Sequence, residues 1–447
     1  MASKIAKEIM DDIRDRADLV ALVGRHVQLR KEGTHFAGPC PFHPEKPGTL
    51  KVFTDSKRFK CFTCGVGGDV FAWVQKQSGV PFPAAVRLVA ESVGVMVPEE
   101  QLSPEEKRHR ADRAALHTPT NLAIEWWVAN LWSSEGAKAR EFLEGRGIRE
   151  ETARLFQLGY APAGWHGLHH ALSGRGLSVG SLVRAGLLVD KGDVLKTYDR
   201  FRDRVMFPIA ALDGQVIGFG GRVLTFDPAE HAGGKYVVGP ETALFRPGRA
   251  LYAIDKAKAA IRATKTALVV EGYLDALALH QVGYANAVAV GASALTDDQV
   301  QLLRAQGAER VVLVHDGGAA GGASPAVAAE AVLRASVEGV VVVLPSPGPD
   351  DLALFVRAKG REGLEALMSK GVALTEWLLE RALREHCPGD VAHASVEQRY
   401  RALRSMLPFV SACGDEMLRN LLIKRLSRRF DLDVGVLRAE LEKAKAR

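Results

Sequence analysis

The stretch ERVVLVHDGGAAGGASP, residues 309–325, indicates the fold of the central part of this chain. Its apolar run, Val311 to Val314, is typical of a buried strand. The run is followed by a single carboxylate, Asp316, and four of the next six residues are glycines. An acid at the end of such a strand could form part of a metal site, and the glycines after it could cradle a phosphate.

Three further apolar runs recur at regular intervals: TALVVE at 266–271, ANAVAV at 285–290 and GVVVVL at 339–344. Helical patterns lie between the runs, at 273–282, 296–306 and 324–338. Strands that alternate with helices predict a parallel sheet of βαβ units. The carboxyl ends of parallel strands meet at one edge of the sheet, so Glu271, Asp316 and Asp350 should lie close together.

Acidic side chains at that edge predict a metal site. Clustered carboxylates repel one another and stay ionised only beside a cation, and their oxygens suit Mg²⁺ or Mn²⁺. We therefore expect a divalent metal among Glu271, Asp316 and the pair Asp350 and Asp351, with Asp275 nearby.

The rest of the chain has other patterns. Residues 1–97 combine a helix at 5–25, short strands at 26–37 and 50–62, and helices at 69–78 and 82–93. A polar, charged segment at 98–115 is predicted to be a linker or a solvated helix. Residues 116–260 begin as helices and continue as short strands, with a hairpin through Leu212-Asp213-Gly214. The parallel-sheet segment spans 261–372, and 373–447 is helical, so the expected fold class is α+β with several domains.

Composition places few limits on function. The 447 residues are 47% apolar and 25% charged, which is ordinary for a globular protein. No apolar run reaches the length of a membrane span, and the charged N-terminus lacks the apolar centre of a signal peptide, so we expect a cytoplasmic protein. The net charge of +6 favours a polyanionic partner only weakly.

Cysteine and histidine spacing predicts a structural zinc site. Cys40 and His43 form C-x2-H, and after a 17-residue spacer Cys61 and Cys64 form C-x2-C. Two close ligand pairs brought together by a hairpin give the tetrahedral nitrogen and sulfur set that zinc prefers. Four protein ligands leave no open position, so this zinc would stabilise a fold and take no part in catalysis.

The hairpin between the two ligand pairs is basic and aromatic. It carries Lys57, Arg58 and Lys60, interleaved with Phe53, Phe59 and Phe62. Charges that follow phosphates and rings that stack on bases suit single-stranded nucleic acid. The alternative is a half-buried strand whose phenylalanines belong to the core and whose lysines are solvated.

A second basic stretch lies at RFRDR, residues 200–204. If it is a strand, its period of two places Arg200, Arg202 and Arg204 on one face. Arg222 would lie on the partner strand, with Lys235 beyond it. The pattern favours a phosphate or nucleic-acid groove, and a solvated basic face is the alternative.

Several of these stretches together resemble the bacterial DNA primases of the DnaG type, over nearly the whole chain. CPFHPEKP and KCFTCGVGGDVFAWV resemble the zinc ribbon of that family. The stretches FQLGYAPAGWHGL, RFRDRVMFPI, GFGGRVL and KYVVGPETALFRPGRALY resemble successive motifs of its RNA polymerase domain. VVEGYLDALAL resembles the first motif of its toprim fold, the catalytic core.

The chain departs from the family pattern at several positions. The second toprim motif, Asp-Gly-Asp-x-Ala-Gly, here begins at Asp316 but has Gly318 in place of its second acid. In the third motif Gly348 takes the place of a metal-site aspartate, and Ser346 that of an earlier one. Elsewhere the pattern differs at three further places: Val238 for an asparagine, Pro247 for a lysine, and 47–50 in the zinc ribbon.

The resemblance implies a function, with alternatives. An enzyme of this family lays short RNA primers on single-stranded DNA from ribonucleoside triphosphates, with a divalent metal, and works with the replicative helicase. Glu271, Asp316 and Asp350 would then be catalytic and metal-binding, and the basic residues would contact template or nucleotide. A monomer without membrane contact is expected. The alternatives are a catalytically impaired relative that binds single strands or a replication partner, and another toprim chemistry, which the polymerase-domain motifs disfavour.

Overall fold

The computed structural model describes most of the chain: residues 7–43, 49–78, 80, 82–97, 104–192, 197–227, 234–291, 294–315, 325–345, 351–389 and 391–445. The chain forms two compact units, Met1–Lys107 and Arg108–Arg447. Among the described residues, no helix combines the length and the apolar character that crossing a bilayer requires.

The first unit is a small antiparallel sheet packed with helices. Its elements are α1 (Lys7–Arg16), α2 (Leu19–Gly24), β1 (Arg30–Glu32), β2 (His35–Gly38), β3 (Leu50–Phe53), β4 (Arg58–Cys61), β5 (Gly67–Gly68), α3 (Val70–Ser78) and α4 (Phe82–Ser92). The strands follow one another in the order β1-β2-β3-β4-β5. Trp73 is the centre of the core, with its ring edge-on to Phe42 at 5.2 Å and to Phe59 at 5.1 Å between centroids.

One predicted helix of this unit is two helices. The pattern at 5–25 predicts a single helix, but the structure has two helices, α1 and α2, separated by two residues. Asp18 has an extended backbone there and accepts a hydrogen bond from the Ala21 N–H at 2.9 Å. This is an N-cap, and it favours a new helix here because it satisfies one of the backbone donors that the first turn of a helix leaves unpaired.

The second unit begins with helices and an antiparallel sheet. Its first elements are α5 (Pro104–Leu131), α6 (Ala137–Gly145), α7 (Glu150–Leu155), β6 (Gly159–Ala161), α8 (Gly167–Ser173), α9 (Val179–Arg184), β7 (Leu188–Val189), β8 (Tyr198–Asp199), β9 (Arg204–Ala210), β10 (Val216–Val223) and β11 (Tyr236–Val238). The main sheet has the order β11-β10-β9-β6, and β9 and β10 form the predicted hairpin. Residues 98–103 of the predicted linker lie outside the described residues, and α5 begins directly after them.

The prediction that three arginines share one strand face is wrong. Strand β9 begins only at Arg204, and Asp203 has a positive φ of 49°, which breaks the alternation before it. Arg204 is 7% exposed, and its guanidinium donates to the carbonyls of Gly221 and Lys235. Arg200 instead donates to the Gly186 carbonyl at 2.8 Å. Arg202 donates to the Asp199 carbonyl, so the three side chains diverge and each of them satisfies a backbone carbonyl.

The predicted parallel sheet is confirmed. Its elements are α10 (Ile254–Thr264), β12 (Thr266–Val270), α11 (Tyr273–Gln281), β13 (Ala287–Ala289), α12 (Asp297–Ala305), β14 (Arg310–His315), α13 (Pro325–Arg334), β15 (Glu338–Val343), α14 (Leu352–Met368) and β16 (Val372–Ala373). The order is β13-β12-β14-β15-β16. Strands β12 to β15 are parallel to one another, and β16 pairs antiparallel with β15 at the edge. The apolar runs form these strands because helices cover both faces of the sheet.

The C-terminal helices extend the core of the parallel sheet. They are α15 (Leu374–His386), α16 (Val396–Ala412), α17 (Glu416–Phe430) and α18 (Val434–Lys445). Their buried faces, which include Leu378, Val410 and Ile423, join one apolar cluster with Val332 of α13 and Val341 of β15. The helical region is thus part of the second unit.

Candidate active site and zinc centre

The four predicted zinc ligands meet in the first unit. Ligand atoms of Cys40, His43, Cys61 and Cys64 all lie within 4.8 Å of one another, and the Sγ atoms of Cys40 and Cys64 are 3.9 Å apart. Zinc–sulfur bonds of about 2.3 Å in a tetrahedron separate two sulfurs by roughly 3.8 Å. The donor set and its spacing therefore fit one structural zinc ion.

Backbone donors prepare Cys61 for this role. The N–H groups of Thr63 and Cys64 point at its Sγ from 3.4 and 3.5 Å. Burial raises the pKa of Cys61, but these donors and the Thr49 hydroxyl outweigh it, and the net effect lowers the pKa to about 7. Burial raises the pKa of Cys40 to about 12, which a bound zinc ion would override.

The basic hairpin of the first unit divides into two faces. Strand β4 alternates, so that Arg58 and Lys60 are exposed while Phe59 is buried in the core. Lys57 turns away and donates to the Asp15 carbonyl at 2.6 Å. Phe62 is 60% exposed, with the Lys60 ammonium 5.4 Å from its ring centroid. Of the predicted aromatic contacts, Phe62 has the exposure that base stacking needs, and Phe59 does not.

A cleft in the second unit lies at the predicted edge of the parallel sheet. Its volume is about 190 Å³. The residues that line it, called the cleft below, are Lys235, Tyr236, Glu271, Gly272, Tyr273, Leu274, Asp275, Gly291 and Asp351. Glu271 follows β12 directly and is half-buried, and Lys235 is exposed. The cleft thus brings carboxylates and a lysine together at the carboxyl end of the strands, where open parallel sheets bind ligands.

Two of the cleft carboxylates are held by the fold. Asp275 is 6% exposed and accepts from the N–H groups of Gly272 at 3.2 Å and Ala353 at 2.9 Å. Asp351 caps α14 by accepting from Leu354 at 3.0 Å, and it forms an ion pair with Arg146. These contacts fix the β12–α11 turn and the start of α14, so both acids shape the cleft.

Glu271 has a different kind of neighbour. The Nδ1 atom of His315, the last residue of β14, lies 2.8 Å from its Oε1. Asp316 and Asp350, which the sequence predicts as the other metal ligands, lie outside the described residues, as do Gly318 and Gly348. Among the described residues, Glu271 is the predicted metal ligand that borders the cleft.

Arg222, a predicted nucleic-acid contact, is a buried residue. It is 4% exposed, donates to the Val223 carbonyl at 2.9 Å, and lies 4.4 Å from the Phe142 ring. Burial lowers the pKa of Arg222, Arg146 acts in the same direction, and Tyr236 and Asp351 oppose both. Its guanidinium also lies 5.6 Å from the ring centroid of Tyr236, which lines the cleft.

Arg202 lies in an aromatic surface that the sequence did not predict. Its guanidinium is 4.1 Å from the Trp165 ring centroid and 5.0 Å from that of Tyr198. Trp165 is 57% exposed. The two rings also contact each other, with centroids 5.3 Å apart. A cation beside two rings, one of them open to solvent, offers both a charge and a stacking face, and we call these three residues the aromatic platform.

The comparisons with known proteins cover the whole of this architecture. A profile described as CHC2 zinc finger matches residues 5–105, and one described as DNA primase catalytic core, N-terminal domain, matches 126–258. A Toprim domain profile matches 265–343, and DnaB-helicase binding domain of primase matches 375–435. The DNA primase of Myxococcus xanthus is 34% identical over 431 residues, which are 96% of this chain and 68% of that protein.

The chain belongs to the DnaG family of bacterial DNA primases. The primase of Pseudomonas aeruginosa is 35% identical over 96% of this chain and 63% of its own length, so the chain spans about two thirds of such relatives. The crystal structure of the zinc-binding and RNA polymerase domains of Aquifex aeolicus primase superimposes with a TM-score of 0.60 at 28% identity, covering 96% of this chain and 98% of that one.

A second solved structure carries a ligand. The DnaG primase catalytic domain bound to single-stranded DNA matches with a TM-score of 0.62 at 32% identity, over 73% of this chain and 99% of that one. The family match and the Cys40, His43, Cys61 and Cys64 geometry together fit one structural zinc ion, and the toprim domain implies a requirement for Mg²⁺ or Mn²⁺.

Proposed function

We propose that this primase chain synthesises short RNA primers on single-stranded DNA by nucleotidyl transfer from ribonucleoside triphosphates in the cleft. The observation that carries the proposal is the convergence of Glu271, Asp351 and Lys235 at the carboxyl edge of the parallel sheet. An exposed lysine beside carboxylates suits a triphosphate whose charge is shared between a cationic side chain and a metal.

The residue roles follow from chemistry and position. Glu271, Asp316 and Asp350 would hold the divalent metal, and the alternative role for Glu271 is that of a general base that accepts the proton of the attacking hydroxyl. Lys235 would contact the triphosphate. The metal supplies charge neutralisation at the phosphates. The two acids outside the described residues enter this proposal on the sequence alone.

Template binding is assigned to two exposed surfaces. The aromatic platform offers Arg202 for a phosphate and Trp165 for a base. In the first unit, Arg58 and Lys60 of β4 offer charges beside the exposed ring of Phe62. Stacking and phosphate contact together are the way that proteins bind single strands without sequence preference. Because Arg204 and Arg222 are buried, they are not part of the proposed template surface.

The remaining parts fit the same proposal. The chain divides into the zinc ribbon at 1–97, a connecting segment at 98–115, the N-terminal part of the polymerase domain at 116–260, the toprim part at 261–372 and the helical region at 373–447. Residues 375–435 match the helicase-binding domain of primases, so the helical region is proposed to bind a replicative helicase. A cytoplasmic location goes with a role in replication.

Replacing Glu271 tests the proposal. Glu271→Gln removes the carboxylate charge with little change of shape, and we expect primer synthesis with Mg²⁺ or Mn²⁺ to fall at least about 100-fold, the scale on which a general base or a charge-stabilising group acts. Glu309→Gln, at the opposite end of the sheet beside Lys265, is the matched control and should retain the parental rate. Equal rates in the two variants would contradict the assignment of the cleft.

A further inference from the structure

His315 is a polar residue at the end of an apolar buried strand, where a purely structural role would favour an apolar side chain. It ends the apolar strand β14, and its side chain is 14% exposed. Together with Glu271, the ring borders a small cavity whose other walls are apolar, among them Val290, Leu295 and Pro325. A ring packed in this way has little freedom to turn, so the direction of its nitrogen atoms is set by the core.

The Nδ1 atom of His315 points toward the carboxylate of Glu271. His315 Nδ1 and Glu271 Oε1 are 2.8 Å apart, a normal hydrogen-bond length, and the Glu271 side chain is 26% exposed. An ionised carboxylate only accepts hydrogen bonds, so Nδ1 carries the donated hydrogen. Within the described part of the chain, the structure records no hydrogen bond to Oε2 of Glu271, which leaves one oxygen for a ligand.

A fixed Glu271 carboxylate would favour metal binding. Glycines stand at 318 and 348, where the family pattern carries acids, so fewer carboxylates share the metal and each contributes more. A glutamate side chain has several rotatable bonds, and a metal that binds it must restrict them. A hydrogen-bond donor that fixes the carboxylate before the metal binds reduces the conformational entropy lost on binding, as the hydrogen-bond partners of metal ligands do in other proteins.

We propose that His315 is a positioning residue that holds the Glu271 carboxylate through Nδ1 and so strengthens divalent-metal binding at the cleft. The inference rests on the proposed function, because it assigns Glu271 to the metal. His315 does not ligate the metal in this arrangement. Its contribution is the fixed orientation of one carboxylate oxygen.

Three substitutions separate positioning from other roles. His315→Phe keeps a ring of similar size and removes both nitrogens. His315→Asn places an amide N–H near the position of Nδ1, whereas His315→Gln places its amide near the position of Nε2. Positioning through Nδ1 predicts rescue by Asn and not by Gln, and metal ligation through Nε2 predicts the reverse. His117→Phe, at a half-buried position on α5, controls for loss of an imidazole.

The measurement is Mn²⁺ binding by electron paramagnetic resonance, without nucleotide or DNA, on the whole zinc-loaded chain. We expect His315→Phe and His315→Gln to weaken binding at the toprim site about tenfold or more, with His315→Asn within about twofold of the parent. When Glu271→Gln is already present, adding His315→Phe should weaken Mn²⁺ binding no further, because the group being positioned is then changed. Electron spin echo modulation should show no nitrogen coupled to the bound Mn²⁺.

Each outcome tests the positioning role of His315 independently of whether the chain makes primers. Unchanged Mn²⁺ affinity in His315→Phe, no Mn²⁺ binding by the parent, rescue by Gln alone, or nitrogen coupling to the metal would each overturn the inference, even if the parent makes primers. Weakened binding with rescue by Asn would support it, even if the parent makes none. If His315→Phe lowers the melting temperature, the comparison of Asn with Gln, both polar, still discriminates.

Discussion

Gly318 and Gly348 are the two glycines at which the resemblance to the family pattern predicts the loss of acidic metal ligands. Each missing carboxylate removes one charged oxygen from the metal site. The double substitution Gly318→Asp with Gly348→Asp restores both, so we expect tighter Mn²⁺ binding and a higher yield of primer than the parent gives. Mn²⁺ titration and a primer assay on the same preparations measure the two effects.

Gly180→Asp is the control for added charge, because a side chain at that helical glycine meets no atom within 4 Å. It should change neither quantity. A double variant that binds Mn²⁺ more tightly yet makes no more primer would place the limiting difference elsewhere, with Val238 and Pro247 as the next positions to restore, since both border a pocket beside Tyr273.

A second prediction concerns single residues of the aromatic platform. Trp165→Ala should weaken single-stranded DNA binding by about 1–3 kcal/mol, the usual value of one base stacked on an aromatic ring. Arg202→Ala should weaken it as well and should reduce the dependence of the binding constant on salt, since a phosphate contact releases counterions. Fluorescence anisotropy with labelled oligonucleotide at several salt concentrations measures both.

Arg361→Ala is the matched control for this experiment, because Arg361 pairs with Glu365 on the exposed side of α14. It should bind like the parent. If the platform variants and Arg361→Ala bind equally well, or if binding does not respond to salt, the template surface has been assigned to the wrong residues.

At the scale of elements, the hairpin of β3 and β4 depends on its metal. Cys61 and Leu50 are fully buried beside each other in register, and Val52 pairs with Phe59. Cys61→Ala removes one of four zinc ligands, and the binding energy of such a site is folding energy. We expect this variant to lose its zinc and the protection of amides in β3 and β4 from hydrogen exchange, with β12 and β14 unaffected.

Elemental analysis and hydrogen-exchange mass spectrometry on the same sample test this prediction. Cys387→Ala, a buried cysteine outside the zinc site, is the control and should keep one zinc per chain. Retention of zinc and of hairpin protection in Cys61→Ala would show that the hairpin folds without the four-ligand site.

Elements whose sequences repeat with a clear period were predictable. The βαβ rhythm at 266–344 predicts the parallel strands because each run is apolar throughout and each intervening segment has a helical period. The prediction of a strand at RFRDR failed because Asp203, which precedes strand β9, has a positive φ. Aspartate is enriched among the non-glycine residues with positive φ, but these are few, so the sequence signal is weak. The helix break at Asp18 had a local signal, since aspartate is a preferred N-cap.

At the scale of the whole molecule, pairings between distant residues were not predictable. Arg146 and Asp351 are 205 positions apart, and nothing in either neighbourhood specifies the other. His315 and Glu271 are 44 positions apart, but both end parallel neighbouring strands, so their proximity followed from the sheet once a polar residue at the strand end was noticed. Burial of Arg204 and Arg222 depends on the surrounding sheet and helices, and basic composition alone led to the opposite expectation.

We expect the whole chain to polymerise ribonucleotides in the cleft although glycines stand at 318 and 348. The most direct measurement is incorporation of labelled ribonucleoside triphosphates on single-stranded DNA by the zinc-loaded chain, with Mg²⁺ and with Mn²⁺, beside an active primase on the same template. The account predicts short, alkali-sensitive products that require the divalent metal and the DNA and that disappear in Glu271→Gln. Absence of product with both metals, while the active primase makes primers, would contradict it.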